Sequence, residues 1–231
     1  METVADIVAS LDDPDRPVVH ADRVHDAREF RSQTYKTGNA LRHCGVREEA
    51  GVAILDVPAP AALQTFFGAA LLGATVEFGP DRVVEARVLA GPTVELGEYD
   101  LPPGGQRVGW GEPPADPSWT YFERDVWSEN PTFPEPSVTA ETELLAGVTH
   151  GAAVEAARRV AEEYDAEDRV AVRAPLAEPG TVVAGVLAPL LAGASIVLPP
   201  AGGAGTVAVA TDDAPEDRVV APADAAPSPD V

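Results

Sequence analysis

Apolar positions along this chain fall into two spacings that alternate. Residues 35–45 and 152–164 set apolar side chains three and four apart, with Arg, Asn and Glu between them. That spacing lines one face of a helix. Short apolar runs at 52–56, 75–78, 93–96, 107–110, 170–174, 195–198 and 206–210 are instead four or five residues long and rich in Val, Ile and Leu. Such runs predict strands buried in a sheet.

The order of these elements repeats. VAILDVPAPAALQTFFGAALLGATVEFGP begins at Val52, and VAVRAPLAEPGTVVAGVLAPLLAGASIVLPP begins at Val170. Each runs strand, proline, helix, Leu-Leu, a Gly-Ala turn, strand, proline. Each also follows an amphipathic helix and an acidic turn. A strand, helix, strand unit of this length predicts parallel pairing with a right-handed crossover. The expected fold class is therefore α/β, with duplicated helix-strand-helix-strand units forming mainly parallel sheets flanked by helices. We expect one domain over 1–220, built from repeats at about 28–96 and 148–210. The connection 97–136 holds Trp110, Trp119 and Trp127 and is expected to be irregular but packed. The final residues, 221–231, have few bulky side chains and are expected to be disordered.

Charge narrows the partners. The chain has 231 residues, with 38 Asp and Glu against 16 Lys and Arg, a formal charge of −22. Such a field repels nucleic-acid phosphates and anionic membranes, so neither is expected as a partner. Lys36 is the sole lysine. An acidic surface almost without lysine fits a halophilic protein, in which molar salt screens charge over about 3 Å. Cys44 is alone, so no internal disulfide can form. The acidic opening METVADIVASLDD lacks the basic and apolar regions of a secretory signal, and a cytoplasmic location is expected. The uncharged run 181–205 is long enough to span a bilayer. Pro189, Gly193 and Pro199-Pro200 break it into a buried helix, a turn and a buried strand instead.

The segment TYKTGNALRHCGVREEAGVAILDVPAPAALQTFFGAALLGATVEFGP resembles the N-terminal part of the AMP-dependent synthetases and ligases, the adenylate-forming acyl-CoA synthetases and luciferases. GVTHGAAVEAARRVAEEYDAEDRVAVRAPLAEPGTVVAGVLAPLLAGASIVLPP resembles the stretch that follows the phosphate-binding loop of that family. The resemblance covers about 28–200 and implies the fold of that family's N-terminal domain. In the family a Ser/Thr/Gly-rich loop ending in Pro-Lys-Gly stands just before a Thr-His step. Here Thr149 and His150 match the step, which makes them the candidate cofactor-binding residues by resemblance, but PSVTAETELLAGVTHG stands in place of the loop. No glycine or lysine lies between Pro136 and Gly147, while Glu141, Glu143 and Leu144-Leu145 do. Carboxylates facing a triphosphate are repulsive. ATP or AMP with Mg would be cofactors only if the family's activity survived, and none is expected. The family's later Thr-Glu motif, ribose-binding Asp and C-terminal catalytic lysine are not matched either.

The remaining chemistry is sparse. His20, His25, His43 and His150 have no metal-ligand spacing, no Gly-x-Ser-x-Gly elbow occurs, and Gly202 to Gly205 read as a turn. No metal site and no catalytic residue are expected. Thr149 is expected to cap a helix with His150 packed beside it. Asp56 and Arg173 fall near strand ends, where open α/β sheets place ligands, and are candidates for a small-molecule cleft. The leading expectation is a degenerate, non-catalytic acyl-CoA synthetase-like protein that acts through a protein partner, such as an intact acyl-CoA synthetase. The alternatives are one half of a split acid-CoA ligase, needing a complementary half, and a module binding a carboxylate or a CoA fragment.

Overall fold

A computed structural model describes residues 1–227. In chain order its main elements are α1 (Val4–Ala9), β1 (Pro17–His20), β2 (Val24–Asp26), α2 (Ala27–His43), β3 (Gly51–Ile54), α3 (Pro60–Ala70), β4 (Thr75–Phe78), β5 (Val88–Pro92), α4 (Thr93–Leu96), β6 (Gln106–Trp110) and β7 (Thr120–Tyr121). A π-helical turn, Phe122–Val126, leads to β8 (Glu143–Leu145), β9 (Val148–Thr149), α5 (His150–Ala161) and β10 (Arg169–Val172). Then α6 (Pro179–Val182), a second π-helical turn (Val183–Leu187) and α7 (Ala188–Ala192) follow without a break. They are succeeded by β11 (Ser195–Val197), β12 (Val207–Val209), β13 (Arg218–Val220) and a 3-10 turn, Pro222–Ala225.

The strands form two sheets. One runs β13-β12-β10-β11-β1-β2 and the other β7-β6-β5-β3-β4-β8-β9. The first strand-helix-strand unit lies in the seven-stranded sheet, where Val52 pairs with Val76 in parallel. The second lies in the six-stranded sheet, where Val170 pairs with Ile196 in parallel. Two of the pairings are antiparallel hairpins at sheet ends, β1 with β2 and β8 with β9.

Helices join the sheets into one core. Val52, Ile54 and Val76 of one sheet and Val170, Val172 and Ile196 of the other belong to a single buried cluster with Phe30, Phe66, Phe67 and Leu187 from the helices. The ring of Phe67 meets Phe30 edge-on at 5.7 Å and Phe66 at 5.0 Å. Burying each such ring stabilises by about 2–3 kcal/mol. Helices α2 and α3 cross where both lack a side chain. A Cβ on Gly68 would lie 2.9 Å from the Gly38 nitrogen, so alanine at this crossing would push the helices apart.

Helix limits follow from local chemistry. Asp26 caps α2 by accepting from the Glu29 N–H at 2.8 Å, eight residues earlier than the periodicity at 35–45 suggested. Thr149 caps α5. Gly193, at φ +84°, ends the long apolar helix in the left-handed conformation.

Two expectations need correction. Residues 93–96 are not a strand: they form the helical turn α4, and the strand is the preceding β5. Pro92 cannot donate in a ladder, and the buried Thr93 hydroxyl donates to the Trp110 carbonyl at 3.2 Å instead. The end of the chain is ordered further than expected. Pro222 and Ala225 are buried, and Gly180 packs directly on the Pro222 carbonyl; residues 228–231 lie outside the described ones. The irregular connection is held to α2, with Lys36 donating to the Trp127 carbonyl and Asn39 to those of Asn130 and Thr132. Among the described residues, no helix is long and apolar enough to cross a membrane.

Candidate functional site

The place where the resemblance put a phosphate loop is a hairpin. Leu144 and Leu145 are both buried, which draws their backbone into the sheet as β8, beside β4. The chain then reverses through Gly147, at φ +72°, into β9. Glu143 closes this hairpin upon itself. One carboxylate oxygen accepts from the Gly147 N–H at 2.8 Å, and the other from the Thr75 hydroxyl at 3.0 Å.

The N-terminus of α5, where an anion would be expected to sit, is similarly occupied. The N–H of His150 goes to the Thr142 carbonyl at 2.9 Å, that of Gly151 to the Ala140 carbonyl at 2.8 Å, and that of Ala152 to the Thr149 hydroxyl at 3.2 Å. The first-turn donors that commonly hold phosphate at a helix start are therefore used internally. Beside the hairpin lies an open cavity of about 430 Å³, whose charged lining residues are Glu48, Glu49, Glu141 and Glu143. The Glu141 carboxylate is held below its usual range by hydrogen bonds from the Thr139 hydroxyl and its own backbone, so it stays ionised. Four carboxylates and no cation do not fit a nucleoside triphosphate.

His150 is fully buried between α1 and α5, and its Nδ1 accepts from the Val4 N–H at 3.2 Å. Burial pulls its pKa down to about 4, against the attraction of Asp6. It is a neutral packing group. Thr149 and His150 are thus adjacent parts of the α5 start, as a cap and a buried anchor.

The strand-end candidates are also committed. Asp56, just beyond β3, accepts from the backbone N–H groups of Leu176 and Ala177 at 3.0 and 3.1 Å. Arg173, just beyond β10, donates twice to Glu216 at 2.7 Å, and Glu216 also accepts from the Gly205 N–H. These contacts tie loops together, and no cavity described here is lined by both residues. Cys44 is buried with its sulfur 3.5 Å from the Thr120 hydroxyl; burial pushes the thiol pKa up, away from nucleophilic use. Among the described residues, no group of three or more His, Cys, Asp or Glu could hold a metal ion.

Solved structures place this architecture. The crystal structure of the anthranilate CoA ligase AuaEII in complex with anthranoyl-AMP superposes with a TM-score of 0.76 over 90% of this chain, at 20% identity. The fold is that of an acyl-CoA ligase. A long-chain-fatty-acid CoA ligase described as putative, from Rhodopseudomonas palustris CGA009, matches with a TM-score of 0.68 over 84% of the chain at 17% identity, and 56% of its own length is covered. The N-terminal domain of FACL13 from Mycobacterium tuberculosis matches with a TM-score of 0.68 over 85% at 13% identity, with 57% of that chain covered. The chain spans 49% of AuaEII, about half of that ligase. No family profile matches the sequence, and no curated protein matches it. The ligase fold is therefore visible in the backbone path at an identity too low for sequence matching.

Sequence reasoning marked this segment as standing in place of the loop but anticipated neither the hairpin nor its closure, since nothing in TELLAGVT announces that Glu143 folds back onto Gly147. It also gave His25 no role. That side chain lines a separate cavity with Gln33, Trp110 and Glu123, and only its burial distinguishes it.

Proposed function

We propose that this chain is a non-catalytic protein with the acyl-CoA ligase fold that works through a protein partner. The observation that carries the first part is the double engagement of Glu143 with Gly147 and Thr75, which puts a carboxylate where a ligase of this fold would need phosphate donors. Support for a partner comes from β13. Among the described residues it pairs with β12 alone, and Val219 on it is 48% exposed. A bare parallel edge of this kind is a template for an added strand. An acyl-CoA ligase chain is the partner this reading favours, because its fold is the one this chain shares. The charge of −22 further fits a protein working in concentrated salt, inside the cell.

Thermal unfolding in multimolar KCl, with Mg-ATP, AMP or CoA added in turn, tests the catalytic part. A ligand at a hundred times its Kd would raise the midpoint by roughly 5–10 °C for a domain of this size. We expect no rise with ATP or AMP, and a rise of that size overturns the reading. For the partner, the tagged chain is recovered from a salt-matched extract. Co-purification of an identified acyl-CoA ligase at fixed stoichiometry supports it; recovery as a lone monomer refutes it.

A further inference from the structure

The outer side of β13, at one end of the six-stranded sheet, has no neighbouring strand among the described residues. Val220 turns its carbonyl inward, where it accepts from the Ala210 N–H at 3.2 Å. Backbone groups of successive strand residues point to opposite sides, so the N–H and C=O of Val219 point outward, away from β12. Its side chain is half-exposed beside them. An added strand finds one donor, one acceptor and one apolar contact there.

The charge around this edge is of one sign. An open trough of about 730 Å³ runs along it, lined by Val219, Ala210 and Ala221 and by the carboxylates of Asp212, Asp213 and Asp224, with no Lys, Arg or His. Asp217, also exposed, stands just before the strand. Among the described residues none of these four aspartates belongs to an ion pair. The base on β13 itself, Arg218, is already committed, donating to both Asp168 oxygens and to the Glu163 carbonyl. By contrast, the nearby buried acids are paired, Glu216 with Arg173 and Asp168 with Arg218.

Charge selects the occupant of this edge. A second copy joined through the same strand would bring two sets of carboxylates together, which is repulsive. A basic segment is attracted instead. In a paired strand, an apolar side chain opposite Val219 makes a cross-strand contact, and the next residue on the same face lies two positions along, over the trough.

We propose that β13 docks an extended segment of a partner protein, with an apolar residue against Val219 and an Arg or Lys two positions along beside Asp212 and Asp213. This rests on the reading that the chain works through a partner, and it names the chemistry of the contact. Main-chain hydrogen bonds at Val219 supply the pairing, and the basic side chain supplies the selection.

The test is fluorescence anisotropy of labelled peptides titrated with the full chain, in the lowest KCl that leaves its melting midpoint unchanged, because salt screens exposed charges. The basic probe is Val-Thr-Arg-Thr written twice. A second probe has Glu in place of Arg, and a third is the basic probe with its backbone nitrogens methylated, which keeps the charge but removes the donors. Saturable binding of the basic probe alone is the expected result. Equal binding of the acidic or the methylated probe, or saturation by none, overturns the proposal. Val219→Pro removes the outward N–H without taking a bond from the ladder to β12, and should abolish binding. Asp212→Asn combined with Asp213→Asn, both in the exposed bend after β12, should weaken it about threefold or more at an unchanged melting midpoint. Unchanged affinity in either folded variant refutes the assignment. The Val219→Pro chain is also taken through the extract recovery described above. Loss of a ligase that the parent chain recovers supports this surface, whereas undiminished recovery overturns it and leaves the partner reading standing.

Discussion

The carboxylate of Asp56 accepts a hydrogen bond from the backbone N–H of Leu176 at 3.0 Å, across 120 positions of sequence. Its second oxygen takes the N–H of Ala177. One side chain thus fastens the turn after β10 of the six-stranded sheet to the end of β3 of the seven-stranded one. A residue that sequence position marked as a ligand contact acts as a clasp between sheets.

Removing that clasp should loosen the molecule measurably. Asp56→Ala leaves the part-buried Leu176 amide without its acceptor, a loss of about 1–3 kcal/mol. Chemical denaturation in constant salt reads this as a lower midpoint with an unchanged slope. A midpoint equal to that of the parent chain would show that the turn holds without Asp56.

The Arg173–Glu216 pair should matter more, and in a pH-dependent way. The Glu216 side chain is fully buried, and Arg173 is 24% exposed. Arg173→Met strands the carboxylate and should destabilise by about 3–5 kcal/mol at neutral pH. The Arg173 hydrogen bonds hold the Glu216 pKa below its ordinary value of 4.5, outweighing burial. A carboxylate with a depressed pKa contributes its full stability above its ordinary value and loses it as pH falls through the folded-state value. The parent chain should therefore lose stability below about pH 4.5, and Arg173→Met should lose less over that range. Parallel pH profiles would contradict the assignment.

His150 predicts a second slope at higher pH. Its pKa falls from 6.5 when exposed to about 4 in the fold because the ring is buried. The unfolded chain then binds the proton first on acidification, so stability declines as pH drops from 6.5 towards 4 and is complete above 6.5. The decline amounts to roughly 3 kcal/mol. His150→Asn retains an acceptor for the Val4 amide without titrating. It should be less stable at neutral pH but show a flatter profile between those limits. Equal slopes would mean that His150 does not titrate in this window.

Gly180 tests the packing of the last described residues. A Cβ there would lie 1.9 Å from the Pro222 carbonyl oxygen and 2.7 Å from its carbon. Gly180→Ala should destabilise by about 1–3 kcal/mol, and a chain ended at Val220 should also unfold at lower denaturant. If the shortened chain were as stable as the full one, 221–227 would contribute no packing.

The two clasps and the histidine show why the fold was more legible than the site. The runs at Val52 and Val170 are continuous, apolar and bounded by Pro and Gly, so solvent exclusion alone selects buried parallel strands there. Strand β5 was missed because VLAGP carries Gly91 and Pro92, residues that read as a turn. In the folded chain Gly91 sits against Leu55, where a Cβ would come within 2.6 Å, so the absent side chain is what lets the strand pack. TVEL at 93–96 has the branched residues of a strand, yet the buried Thr93 hydroxyl and the geometry at Pro92 make it helical.

What the sequence by itself determined is the α/β class, the acidic surface, and the unlikeness of PSVTAETELLAGVTHG to a phosphate loop. Each depends on residue type or on spacing within a few turns, which local physics translates directly. Only the tertiary structure decided that Glu143 fills its own turn, that Asp56 and Arg173 are clasps, and that His25, Gln33 and Glu123 share one cavity. Those roles are set by which groups meet across long stretches of chain once both sheets close on the helices, and by which polar atoms that closure leaves without a partner.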